Sequence, residues 1–257
     1  MLLLGGSVAG SAVGSVAASA VGSVVGSAGG SAVGSIVLAQ DEAPNPWINL
    51  DFARDNWDAI LAATEQHVTL TVVSVVLGFA LAVPLALLSR RFRWLQTPVI
   101  GFTGLLYTIP SLALFAVLAP ITGLTGKTVV IGLTAYTLLV LVRNFVAGLD
   151  GVPEDVREAA RGMGVGPVRL LLRVELPLAL PTILAGVRVA TVSTVALVTV
   201  GVVVSNGGLG QLIFAGFNNN LYRAEIFTAT ALCVLLALVA DLLLLGLERL
   251  LTPWARR

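Results

Sequence analysis

Charge is scarce in this chain. Only 11% of its 257 residues are Asp, Glu, Lys or Arg, where a soluble domain carries about 25%. That excludes the solvated surface a globular domain of this length would need. Net charge is +1, which leaves no long-range field for nucleic acid or an acidic partner, so the placement of charges matters more than their sum. Cysteine is limited to Cys233, which excludes a disulfide framework or a cysteine metal site within one chain. Histidine is limited to His67, which cannot form a metal cluster and is expected at the wet end of a membrane span. Lys and Arg are missing altogether before Arg54. No nucleophile–base pair or metal-ligand constellation can be assembled, so an enzyme is the reading with least support.

What the chain has is apolar length. Hydrophobic residues make up 57% of it, and mean hydropathy is +0.96. Five segments, roughly 68–89, 96–119, 128–149, 178–204 and 225–247, reach the ~20 apolar residues that a bilayer core requires. Lipid offers backbone groups no hydrogen-bond partner, so these segments are expected to be helices and the protein all-α. Arg and Lys set the orientation. Arg90, Arg91 and Arg93 follow the first segment, Arg157, Arg161, Arg169 and Arg173 lie between the third and fourth, and Arg249, Arg256 and Arg257 follow the fifth. The opposite side has Arg54, Lys127 and Arg223. The ten-charge side is therefore expected to be cytoplasmic, with the C-terminus inside and residue 60 outside.

Residues 1–39 form a low-complexity Gly/Ser/Ala/Val leader, with serine at every fourth position from Ser7 to Ser35. Three readings stay open. The leader is an export signal ending near Val37-Leu38-Ala39, a sixth span, or a repeat expansion with no structural role. Either of the first two delivers residues 40–66 to the outside. A small-residue packing stripe is excluded, because four residues advance a helix by about 400° and the stripe drifts about 40° per repeat.

The loop between the third and fourth segments, residues 150–177, is far longer than a span-to-span connection needs. Pro153, Glu154 and Asp155 suit a helix start. "EDVREAARGM" then reads as a short helix with Val156, Ala159, Ala160 and Met163 on one face, stopped by Gly164 and Gly166-Pro167. A second helical stretch, 168–176, alternates arginine with leucine and meets Pro177 where the fourth span begins. Such a loop is either a docking surface for a cytoplasmic partner or an interfacial segment lying on headgroups.

Glu158-Ala159-Ala160, then Gly164 three residues on, then Val174-Glu175-Leu176-Pro177 nine residues later, resembles the EAA loop of ABC importer permeases. Val174 stands where that pattern has Ile. The resemblance runs from about residue 67 to 247, a single transmembrane domain followed by a tail over 248–257. "LYTIPSLALFAVLAP", "LVRNFVAGLDGVP" and "GGLGQLIFAG" are similar to the glycine betaine/carnitine/choline branch, and methionine-type permeases share some of these phrases. The resemblance implies a type I importer permease fold with five core spans in a bacterial-type plasma membrane. It also implies an ATPase-coupling loop carried by Glu158, Ala159, Ala160, Gly164, Leu176 and Pro177. The implied partners are a cytoplasmic ABC ATPase, an extracytoplasmic substrate-binding protein and a second permease copy or sister permease. ATP and Mg would belong to the ATPase, leaving no cofactor in this chain. "TGLTGKT" (122–128) is a decoy for a phosphate-binding loop, since its first required glycine falls on Ile121 and no strand precedes it.

Within the spans, Pro110 is expected to kink the second, with Thr108 and Ser111 either lining a substrate path or flanking a purely structural bend. Arg188 and Asp241 both fall in the inner half of the bilayer, where charge is expensive, and are expected to pair. Arg143 is a third ionisable group near a span end. Gly207, Gly208 and Gly210 form either an outer gate, or seat for a binding protein, or a re-entrant turn. A self-sufficient secondary carrier would need two-fold internal symmetry and a mid-membrane acid cluster, and the chain shows neither. A membrane scaffold that only tethers a partner is the remaining alternative.

Overall fold

A computed structural model describes residues 45–205 and 207–256; the leader 1–39 lies outside them. The described residues are helical, joined by short turns. An N-terminal helix α1 (Leu50–Asp55) is capped by the Asn49 side chain, which accepts from the Asp51 and Phe52 amides. It leads into α2 (Trp57–Arg91), which at 35 residues exceeds the predicted first span at both ends. Next come α3 (Arg93–Thr108), α4 (Ser111–Thr122), α5 (Gly126–Asp150) and α6 (Glu154–Gly162). The chain continues through α7 (Pro167–Leu170), a π-helical turn (Leu171–Glu175) and α8 (Leu176–Val200). It finishes with α9 (Leu209–Asn218) and α10 (Arg223–Leu251).

Four of these elements are long and apolar enough to cross a membrane: α2, α5, the continuous run Pro167–Val203, and α10. The fifth crossing differs from expectation. Residues 96–119 do not form one kinked span; α3 and α4 meet at 95°. The reason is local. A residue preceding proline is pushed out of the helical region, and Ile109 and Pro110 both adopt extended angles (ψ 125° and 136°). Two extended residues in a row turn the chain instead of bending it. The Ile109 carbonyl, left without a helical partner, accepts the Tyr136 hydroxyl of α5.

Helix α5 is the axis of the bundle. The most apolar stretch of α5 is 61% buried, against 6% for α10. Helices α2, α3, α4 and α8 all pack on it, whereas α10 rests on α8 and α9. Close approach relies on small residues, as lipid-facing bundles require: a Cβ on Gly78 would stand 1.9 Å from Thr137 Oγ1, and one on Gly186 2.4 Å from Asn144 Cβ. Two apolar cores result. Ala82, Leu141, Val142, Phe145, Leu149 and Ile183 fill the end of the bundle near Asp150, and Leu70, Phe115, Val129, Leu133 and Val198 fill the end near Gly126.

The π turn has a clear cause. Pro177 cannot donate to residue 173, and its ring crowds that carbonyl. Widening the preceding turn, with the Leu176 amide donating to Leu171, lets the helix run through the proline without a break. The predicted stretch 168–176 and the fourth span are therefore one continuous rod.

Candidate functional site

Helix α6 projects from the bundle end that holds Asp150, and its sequence dictates both of its ends. Glu154 and Asp155 occupy the first turn, where the helix dipole favours negative charge. At the other end the Val165 amide donates to Ala160 (3.1 Å) and the Gly164 amide to Arg161 (2.9 Å), closing a Schellman motif. That closure requires the left-handed φ of +78° at Gly164, which a side chain would strain.

Of the face read as apolar, only Ala160 turns inward; Val156 and Ala159 are exposed, and Met163 is 78% exposed. Glu158 is also exposed. The expected apolar face thus points away from the bundle, with Ala160 as its one buried residue. Beside it, a groove of about 590 Å³ is lined by Gly164, Pro167, Val168, Leu172 and Arg173. Leu176 and Pro177 sit half-buried at the start of α8.

With so little apolar contact, α6 is held mainly by charge. Arg157 donates to Glu154 (2.8 Å), to the Leu149 carbonyl at the end of α5 (2.6 Å) and to Glu175 (3.0 Å). Arg161 donates to the second Glu154 oxygen (2.8 Å). Hydrogen bonds from Arg157 and Arg161 hold the Glu154 carboxyl below its ordinary range. Glu175, 5% exposed, also receives both terminal nitrogens of Arg90 at 2.6 and 2.8 Å. A buried carboxylate is tolerable only with such matched partners.

The residues read inside the membrane fall into three places. Arg188 Nε and Nη2 reach Asp241 at 2.9 Å each, and Nη1 reaches Glu248 at 3.2 Å, which joins α8 to α10. Thr108 and Pro110 are exposed and Ser111 half-buried, at the α3–α4 turn; the Thr108 hydroxyl is taken up by Leu105 of its own helix (2.7 Å). Gly207 and Gly208 form the turn into α9, and Gly210 lies in its first turn. Gly208 has φ +70°, and a Cβ on Gly210 would lie 2.3 Å from the Thr199 carbonyl oxygen.

That turn is pinned by two residues of α2. Gln66 Oε1 accepts from the Gly208 amide (3.3 Å), and His67 Nδ1 accepts from the Leu209 amide (3.3 Å). His67 Nε2 is 3.0 Å from the Val195 carbonyl of α8. The expectation of a wet histidine is thus corrected: its side chain is 0% exposed. Burial is possible because three elements meet there with one donor and one acceptor to match a neutral ring.

Residues 74–257 match the family model for the inner membrane component of binding-protein-dependent transport systems. The chain belongs to this family. Among its relatives, the permease is 39% identical to an osmoprotectant import permease of Salmonella typhimurium, over 79% of this chain and 97% of the relative. It is 35% identical to a choline transport system permease of Bacillus subtilis (79% and 94%) and 38% identical to a carnitine transport permease of Listeria monocytogenes (80% and 94%). In fold it is similar to an inward-facing MetNI methionine ABC transporter chain, with TM-score 0.65 and 22% identity over 75% of this chain and 96% of that one. An amino acid ABC transporter with histidines gives 0.63 and 17%, over 79% and 98%.

Sequence reasoning missed Arg90, Arg157 and Gln66 as organising residues of the permease, and counted Glu175 only as a motif spacer. A signal was present for one of them: Glu175 is a lone acid inside "LLLRVELPLAL", where an unpaired carboxylate would be untenable. No sequence feature pointed to Arg90 as its partner 85 positions away.

Proposed function

We propose that this permease is the membrane-spanning subunit of an ATP-driven importer for glycine betaine, choline, carnitine or a chemically related osmoprotectant. The observation that carries the substrate class is the agreement among relatives. Proteins named for osmoprotectant, choline and carnitine transport match 79–80% of the chain at 35–39% identity. In this reading α6 seats the partner ATPase, presenting Glu158, Val156, Ala159 and Met163 to it beside the groove at Gly164. The bundle end bearing Asp150 faces the cytoplasm, as the excess of arginine there requires.

ATP and Mg bind on the partner. Closure of the ATPase pair pulls on α6 and biases the spans between inward- and outward-facing arrangements, a population shift whose size is set by differential contacts in the two states. An extracytoplasmic binding protein delivers the substrate, and a quaternary ammonium suits capture by aromatic faces. A second copy, or a sister permease, completes the pathway.

The test is uptake of labelled glycine betaine, choline and carnitine in a host lacking its own transporters. The permease is co-expressed with the adjacent ATPase and binding-protein genes, with an ATPase-dead control. ATP-dependent uptake of at least one is expected. Uptake of an amino acid such as methionine and of none of these three would overturn the substrate class.

A further inference from the structure

Glu175 ties together groups from four elements that meet at the Asp150 end of the bundle. Its two carboxylate oxygens take Arg90 from the last turn of α2, at 2.6 and 2.8 Å, and Arg157 from α6, at 3.0 Å. Through Arg157 it reaches the last carbonyls of α5 at Leu149 (2.6 Å). Glu175 itself closes the π turn that leads into α8. Arg90 Nε also lies 3.8 Å from Asp150 of α5. One buried carboxylate thus connects α6 to the ends of the three helices, α2, α5 and α8, that form the core of the protomer.

We propose that Glu175, clamped by Arg90 and Arg157, is the strut that transmits displacement of α6 to the spans. The inference rests on reading α6 as the ATPase seat and goes beyond it by naming what carries the motion inward. Helix α6 buries only Ala160, and a single methyl contact slides easily. The ionic links do not. Shearing α6 away from α2 would strand a buried carboxylate or an arginine without its partner, a far larger penalty than the loss of an exposed pair. The bidentate fork adds a directional constraint, because two parallel N–H···O bonds fix the angle between guanidinium and carboxylate planes. The π turn belongs to the same device, since its wider backbone sets Glu175 at the start of the α8 rod. Glu175 and Arg90 therefore act as positioning residues, working through one another and Arg157.

The experiment uses the whole importer, with permease, ATPase and binding protein reconstituted in vesicles, and reads substrate taken up per ATP hydrolysed. Glu175→Gln keeps the shape and removes the charge; Arg90→Lys keeps the charge and removes the fork. Both variants are expected to retain the ATPase at wild-type stoichiometry while uptake per ATP falls at least about fivefold, the lower bound of a typical coupling between sites. A merely structural role would lower the yield of complex and leave that ratio unchanged, and an unchanged ratio in both variants overturns the proposal. If Glu175→Gln fails to assemble, Arg90→Lys alone decides.

A second reading is independent of turnover. Spin labels at Met163 of α6 and Leu88 of α2, both exposed, should keep one separation with and without nucleotide in the wild type, and a broadened one in Arg90→Lys. A wild-type separation that shifts with nucleotide would show that α6 moves relative to α2 and defeat the strut. Failure of the wild-type permease to hold the ATPase at all would instead remove the seat itself, an outcome the stoichiometry measurement reads separately.

Discussion

Replacing His67 with leucine isolates the polar half of a buried contact. The ring is fully enclosed, and leucine is close to it in volume, so packing is largely kept while both hydrogen bonds go. Their losses differ. The Val195 carbonyl (3.0 Å from Nε2) lies inside α8 and retains its helical partner, so losing the imidazole removes about 0.5–1.5 kcal/mol. The Leu209 amide (3.3 Å from Nδ1) opens α9, where the first amides have no helical partner; orphaned in the interior, it costs about 1–3 kcal/mol. Together the loss is about 1.5–4.5 kcal/mol, or roughly 3–18 °C in Tm for a chain of this size.

Asparagine separates the two contributions, because its Oδ1 falls near the position of Nδ1 and keeps the Leu209 bond. His67→Asn should therefore lose only the smaller share. Thermal scans of the purified permease in one detergent at one scan rate, by intrinsic tryptophan fluorescence, measure both. A His67→Leu variant within 1 or 2 °C of wild type (roughly 0.5 kcal/mol), or His67→Asn as damaged as His67→Leu, would refute the reasoning.

Further outcomes follow from the same geometry. Gly164→Val, forced to φ +78°, should destabilise the end of α6 by about 1–3 kcal/mol and weaken ATPase co-purification while leaving membrane insertion intact. Gly210→Leu should not accumulate as folded protein, since its Cβ would meet the Thr199 backbone at 2.3 Å. Arg188→Leu should reduce the yield of folded permease by stranding both Asp241 and Glu248. Adding Asp241→Leu should recover part of that loss, because one stranded carboxylate then remains instead of two. Pro110→Ala lifts the restriction on Ile109 and should let α3 and α4 straighten toward one helix; Cys pairs across the 95° bend would report the change as lost cross-linking.

Much of the fold was legible because a bilayer imposes few solutions. Apolar length outlined the crossings, and Pro153, Gly164 and the Gly166-Pro167 pair bounded α6 to within a residue or two. Position in the membrane also sufficed to anticipate that Arg188 and Asp241 meet, since two opposite charges at one depth have few alternatives. The misreadings arose where local rules compete with tertiary context. Pro110 broke its helix instead of kinking it because the residue before it also left the helical region, and a Tyr136 hydroxyl was waiting for the freed carbonyl. His67 went inside because the Leu209 amide, 142 positions away, needed an acceptor. Glu175 looked like a spacer because Arg90 and Arg157 are separated from it by 85 and 18 positions. Long-range polar pairings of this kind leave no periodic trace in a single sequence.

The seating of the ATPase on α6 is tested most directly by cross-linking from Met163, the exposed residue that closes that helix. A cysteine placed there, in a Cys233→Ser background, would be joined to the co-expressed ATPase by a short thiol-to-amine reagent. The account predicts one cross-linked product whose yield changes with bound nucleotide. No cross-link to the ATPase, in a complex that still couples ATP hydrolysis to uptake, would contradict it.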